Sequence, residues 1–331
     1  MTLHVSIPRC LLLAVVCVVL GGCAERGGAA ERDGLRLDLE KRDPERLLRY
    51  YFGSYLGPDG GDAVAAGVLS GEGDAFTLHP DALAEPWQEA LATANANGDD
   101  SLDWDELAAF FEQTYAEARD LPPTLDAFRA AAPYARADSA WFTVEIDGVM
   151  TSARRHLFVP MAAIRSALAN YHANGDRLLY PVGTALVGEH WLDGERVETT
   201  AMLKRPDGFW DFVVYGPTGD LAAATDTPPR ALRSPTQCVG CHIGKKAFEP
   251  EKSFPAEAPP GPFGPRAIHV GPAMRNADVV AFFDEHAKRS DTALGIYNTL
   301  FVSKLLADRN AGRIAPDDAA LLDGLDLPEG L

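Results

Sequence analysis

Between residues 44 and 56, the apolar positions Leu47, Leu48, Tyr51, Phe52 and Tyr55 recur at the spacing of one helical face, and Pro44 suits a first turn. A second helix is expected to start near Pro80 or Asp81 and to carry Leu83, Trp87 and Leu91. A third runs from about Trp104 through Leu107, Phe110, Phe111, Tyr115 and Ala118 and stops before Pro122. Past Pro122-Pro123 and Pro133 the period changes to two. Residues 141–146 alternate and turn at Asp147-Gly148, residues 160–171 form a helical stripe, and residues 183–191, 196–204 and 209–215 read as strands. Asp193-Gly194 and Asp207-Gly208 are short turn signals, so these last three strands form an antiparallel meander. The tail returns to helices over residues 277–288, with Val279, Val280 and Phe283 on one stripe, and about 292–307, with Ile296 and Leu300 on another. The pattern predicts an α+β chain with a helical region over 35–125, a β domain over 135–260 and a helical extension over 261–331.

The first residues follow neither period. The apolar run from Cys10 to Leu20 is too short to span a bilayer as a helix and has the length of a signal-peptide core, with Arg9 as its basic flank. It ends Leu20-Gly21-Gly22-Cys23, which resembles a bacterial lipoprotein box: residues 1–22 are removed and Cys23 takes lipid. Ala24 after that cysteine implies the periplasmic face of the outer membrane, and residues 23–34 read as a flexible tether. The chain carries a formal charge of -18, which cleavage would take to about -19 by removing Arg9. No basic patch capable of following a phosphate backbone survives, which argues against nucleic acid as a partner.

Between the second and third helices, Asn95 to Glu106 resembles an EF-hand calcium loop. Oxygen donors fall at Asn95, Asn97, Asp99, the carbonyl of Ser101, Asp103 and Glu106, with apolar Leu102 between them. A hard cation wants six or seven oxygens, and this spacing wraps them around one ion. Asn95 replaces the usual acid, and Asp100 stands where glycine normally turns the loop, so Asp100 is expected to adopt a left-handed conformation if the loop follows the pattern. The alternatives are a loop that folds without metal and a calcium-dependent docking module for another envelope protein. The segment 70–81 reads as a plain loop or a vestigial partner.

Cys238-Val239-Gly240-Cys241-His242 is the strongest chemical signal. Two thiols three residues apart can add to the vinyl groups of one haem, and the next imidazole can bind the iron. A zinc corner would need further ligands, and the nearest other cysteine is Cys23. A redox CxxC fits poorly after the Pro-rich approach through Pro228, Pro229 and Pro235. Cysteine use agrees with one covalent haem c: Cys10 and Cys17 leave with the signal, Cys23 takes lipid, and none remains for a disulfide.

Over about residues 140–256 the chain resembles the cytochrome P-460 family and the related cytochromes c-prime-beta. The residues that carry the resemblance are Tyr180-Pro181-Val182-Gly183-Thr184 leading to Gly188-Glu189, then Ala201 to Lys204, Phe209 to Tyr215, Gly219-Asp220 and the terminal haem motif. The resemblance implies a mostly β, commonly dimeric haem fold with His242 below the iron and an open or aromatic-capped distal face. It also implies a small gaseous or nitrogenous ligand, nitric oxide or hydroxylamine. Under it, Glu189 is a candidate distal proton carrier and Lys204 a candidate to approach the macrocycle. Gly188 departs from members that carry lysine there, and enzymatic members depend on a lysine cross-linked to the haem. The rival reading is a six-coordinate electron carrier with redox partner proteins, for which Met274 and His269 are the candidate sixth ligands. Met202 reads as core, His190 could face the pocket, and His156 and His172 carry no spacing signal. Lys245 and Lys246 are candidates to pair with haem propionates, and Phe248, Phe254 and Phe263 to cover the haem edge.

Overall fold

The computed structural model describes residues 34–38, 44–72, 75–136, 138, 140–148, 151–175, 178–227, 231–242, 268–270, 272–288, 294 and 296–325. The signal segment, Cys23, most of the tether, residues 243–267 (with Lys245, Lys246, Phe248, Phe254 and Phe263) and the last six residues lie outside them. From Gly34 onward the chain packs as one unit.

The N-terminal region contains a small sheet that periodicity did not reveal. Strand β1 (Leu35–Asp38) precedes helix α1 (Pro44–Gly53), and strands β2 (Leu69–Glu72) and β3 (Ala75–Leu78) form a hairpin within the segment expected to be a loop. With β4 (Ser101–Asp103), placed beyond helix α2 (Glu85–Ala94), they form a sheet in the order β2-β3-β1-β4. Three- and four-residue strands are too short to establish an alternating pattern.

The expected second helix is split. Pro80–Ala82 makes one tight turn, Leu83 is extended, and α2 starts at Glu85 with Pro86 in its first turn. A continuous helix from Asp81 would have put Pro86 in its interior, where it lacks the N–H for the ladder. Helix α3 (Trp104–Ala118) starts with a capping box: the Glu106 N–H donates to Asp103 Oδ1 at 2.9 Å and the Asp103 N–H to Glu106 Oε2 at 3.0 Å. It buries Leu107, Phe110, Phe111 and Tyr115, where Tyr51 stacks on Phe111 at 3.7 Å between ring centroids. Helix α4 (Leu125–Ala131) is capped by Thr124.

The larger sheet has six described strands. They are β5 (Trp141–Gly148), β6 (Arg154–Pro160), β7 (Ala185–Leu192), β8 (Glu195–Lys204), β9 (Trp210–Tyr215) and β10 (Ile268–Val270). Their order is β10-β5-β6-β7-β8-β9, every neighbouring pair antiparallel. Helix α5 (Met161–Asn174) links β6 to β7 and ends at left-handed Gly175. Helix α6 (Thr236–His242) carries the cysteine motif, and α7 (Ala277–Lys288), α8 (Ile296–Asn310) and α9 (Pro316–Ala320) follow β10.

Both faces of this sheet are covered. Phe142, Val144, Ile146, Leu157 and Val159 pack with residues of α5, α7 and α8. On the opposite face Phe158, Val187, Ala201, Val213 and Tyr215 join the N-terminal aromatic core. Double coverage explains why β6 escaped the sequence reading: five consecutive residues are buried, so it has no alternation. The N-terminal region is also locked to β9 by charge. Arg119 donates to both Asp211 oxygens at 2.9 and 3.0 Å, Tyr115 donates to Asp211 at 2.8 Å, and Arg205 approaches the same carboxylate at 3.5 Å.

Candidate haem site

Helix α6 is held at its start by α3. The Thr236 hydroxyl hydrogen-bonds Glu112, and Arg233 Nη1 donates to the other Glu112 oxygen at 3.3 Å. Val239 is fully buried, and Cys238, partly accessible, packs against the same N-terminal core. The side chain of Cys241 lies outside the described atoms. Along this helix the chain turns Val239 inward and leaves the His242 end exposed.

His242 ends the helix. Its ring lies 5.3 Å from Phe212 of β9 and stacks at 5.5 Å and 7° on Tyr297 of α8. The imidazole retains accessible surface, yet dense surrounding protein pushes its pKa down to about 4, with Arg155 adding to the effect. The ring is thus flanked by Phe212 and Tyr297. A neutral imidazole there can donate its lone pair to a metal.

Phe212 shares its sheet face with Met202, Thr200 and His190. Cross-strand register puts Phe212 beside Met202, Thr200 beside Gly188, and His190 between Arg155 and Glu198. A bulge between His190 and Trp191 makes this arrangement: beyond the Asp193-Gly194 turn, Trp191 pairs with Arg196, but His190 pairs with Glu198. Unbulged counting would have set Val197 opposite His190. His190 Nδ1 is 3.1 Å from Glu198 Oε1, and His190 Nε2 is 3.3 Å from the Thr200 hydroxyl. Burial and then Arg155 push His190 down to about 3.

Glu189, the candidate proton carrier, points to the other face. Its Oε1 accepts from Arg129 at 2.9 Å and from Tyr134 at 3.2 Å, and its Oε2 from Trp191 at 3.3 Å. Lys204 shares the face of Met202 but hydrogen-bonds the Gly208 carbonyl and lies 5.1 Å from the Trp210 ring, and its pKa is lowered by burial. Met274 is buried in the core formed with α7 and α8. His269 lies on edge strand β10, opposite Asp147. His156 stands beside Trp191, and His172 bonds the Leu321 carbonyl at 2.7 Å. The structure brings His190 together with two residues the sequence reading passed over, Arg155 and Glu198, and turns Glu189 to the opposite face.

Comparison with protein-family models, curated proteins and solved structures finds no match.

The residues present fit a covalently attached haem. Helix α6 ends in the accessible imidazole of His242 between Phe212 and Tyr297, a donor that would suit an iron porphyrin.

At Asn95 to Glu106 the left-handed residue is Gly98, and Asp100 is not among the described residues with positive φ. The expected strain at Asp100 is thus absent, the turn having moved two positions earlier. The donor side chains satisfy the loop itself: Asn95 Oδ1 accepts from Gly98, Asn97 Oδ1 from Asp99, and Asp99 Oδ1 from Ser101. Strand β4 pairs parallel with β1, whose other edge pairs antiparallel with β3 of segment 70–81, so the two loop segments do not pair directly. Among the described residues no group of three or more His, Cys, Asp or Glu side chains converges as a metal site, and no helix is long and apolar enough to cross a membrane.

Proposed function

We propose that this chain is an exported, lipid-anchored, mono-haem c-type cytochrome that binds or converts a small nitrogen oxide at its iron. One observation carries the reading: the imidazole of the CxxCH motif is accessible and lies between Phe212 of β9 and Tyr297 of α8. Cys238 and Cys241 would hold the haem, and His242 would bind its iron. Bound haem supplies a metal centre for a small ligand.

The chain's own residues position that group. Glu112 fixes the start of α6, Val239 anchors its inner side, and Phe212 and Tyr297 limit the orientation of His242. Met274 lies within the apolar packing of the C-terminal helices, which favours an iron with an open or weakly held sixth position over a methionine-ligated electron carrier. Cys23 and the preceding segment place the protein, under this reading, on the periplasmic face of the outer membrane.

The test is an absorption spectrum of the purified full-length protein. A high-spin spectrum that shifts with nitric oxide supports the reading. A low-spin spectrum with a methionine-to-iron band, unchanged by nitric oxide, overturns it in favour of an electron carrier.

A further inference from the structure

Resting on the haem reading and adding an activity to it, we propose that Tyr50, Tyr51 and Trp104 form a one-electron path from the His242 end of α6 to the surface. Along it, hydrogen peroxide at the haem is reduced by electron donors that meet the protein at Trp104. Phe212 lies 5.3 Å from His242 between ring centroids and 6.4 Å from Tyr50. Tyr50 lies 5.2 Å from Tyr51, and Tyr51 lies 6.3 Å from Trp104. Tyr50 and Tyr51 are fully buried, whereas Trp104 at the start of α3 is partly exposed. The line of rings begins beside the candidate iron ligand, crosses the N-terminal core and ends at water.

Phenylalanines would fill the same space, but phenols and indoles can give up an electron. A buried phenol does so readily only when its proton leaves as well, and here the proton has a fixed direction. Tyr115 donates its single hydroxyl hydrogen to Asp211 Oδ1 at 2.8 Å, so at 2.8 Å it accepts from the Tyr50 hydroxyl. Burial raises the pKa of Tyr50 above the ordinary phenol value, so the resting phenol keeps its proton. The Arg205 guanidinium lies 5.2 Å from the centre of the Tyr50 ring and opposes a positive charge there. Loss of an electron from Tyr50 therefore requires loss of its proton.

The step balances as follows. The Tyr50 O–H bond breaks, its proton joins the Tyr115 oxygen, the Tyr115 proton joins Asp211, and one electron leaves Tyr50 toward the site. Asp211 is buried, so the proton stays within the network and returns when Tyr50 is reduced again. Tyr51 bridges Tyr50 to Trp104, which supplies the replacement electron. Asp103 and Asp105 flank Trp104 in the chain and favour the positive charge left on its indole. Hydrogen peroxide takes two electrons and two solvent protons to become two waters, so two passages along the line complete the reaction. The formal charge of -18 favours cationic donors at the outer end.

The test mixes ferric full-length holoprotein with hydrogen peroxide and records electron paramagnetic resonance after rapid freezing. The expected signal is a tyrosyl radical, identified by its narrowing in protein grown on ring-deuterated tyrosine. Tyr50→Phe should lose that signal, and Tyr115→Phe should weaken it by removing the proton's acceptor. Tyr171→Phe on α5, outside the line, should leave it unchanged. Hexaammineruthenium(II), a cationic one-electron donor, should quench the radical, and Trp104→Phe should slow that quenching. Trp104 is partly exposed, so this variant tests the path even where Tyr50→Phe does not fold, and a haem stain checks that each variant is loaded. An equal signal in Tyr50→Phe, or quenching unaltered by Trp104→Phe, overturns the proposal. Haem-loaded protein that gives no tyrosyl radical overturns it while leaving the haem reading intact. Protein purified without covalent haem overturns the haem reading and this inference together.

Discussion

Glu112 of α3 grips Thr236 at the first turn of α6, so the helix that bears the thiols is fastened to the N-terminal region and not to the sheet alone. The same carboxylate receives Arg233 at 3.3 Å. Glu112→Ala removes both bonds and should destabilise the fold by about 1–3 kcal/mol, the range for hydrogen bonds to a charged partner. Denaturant unfolding measures that loss, and a parallel haem stain should show reduced covalent incorporation. Unchanged stability together with unchanged incorporation would contradict the fastening role.

The Arg119–Asp211 pair is buried, and Arg205 shares its carboxylate. Asp211→Ala leaves guanidinium charge without its main partner and should cost about 3–5 kcal/mol. Replacing Arg119 and Asp211 together with apolar residues should recover part of the loss. A double-mutant cycle tests this, and additive losses would rule out direct coupling.

His190 gives stability a pH dependence with a defined sign. Its ordinary value is 6.5 and its folded value about 3, so between these limits the unfolded chain binds the proton and the folded chain does not. Stability is therefore full above about pH 6.5 and falls as pH drops toward about 3. His190→Gln removes this titration and should flatten that part of a stability-versus-pH curve. The same slope in the variant would assign it elsewhere.

Calcium binding at Asn95 to Glu106 would require the Asn95, Asn97 and Asp99 oxygens to exchange loop hydrogen bonds for the ion. The expected affinity is therefore weak, with a dissociation constant of about 0.1–1 mM. At ten times that constant, calcium should add about 1.4 kcal/mol of stability. Glu106→Gln should abolish the gain. Scanning calorimetry with and without calcium decides the matter, and an unchanged melting temperature would leave a loop that folds by its own hydrogen bonds.

The sequence made visible those elements whose information is local. Strands β7, β8 and β9 were legible because Asp193-Gly194 and Asp207-Gly208 punctuate them, with Asp193, Gly194 and Gly208 at positive φ. Helix α7 was legible from its apolar stripe and matches the expected bounds. Strand β6 was not, because burial on both faces erased its period. Within the site, the Cys238–His242 motif is contiguous and could be read directly. The His190–Glu198 pairing depends on a one-residue bulge, and the Glu112–Thr236 contact joins distant parts of the chain. Neither leaves a local signature. Glu189 attracted attention through the resemblance, but strand alternation turns it to Arg129 and Tyr134.

The most direct measurement for the central claim is the mass of peptides from protein purified out of membranes of an exporting bacterium with cytochrome c maturation. The account predicts one haem covalently attached to the peptide containing Cys238 and Cys241, and its loss when both cysteines are replaced by alanine. A colourless protein whose Cys238–Cys241 peptide carries no haem under those conditions would contradict it.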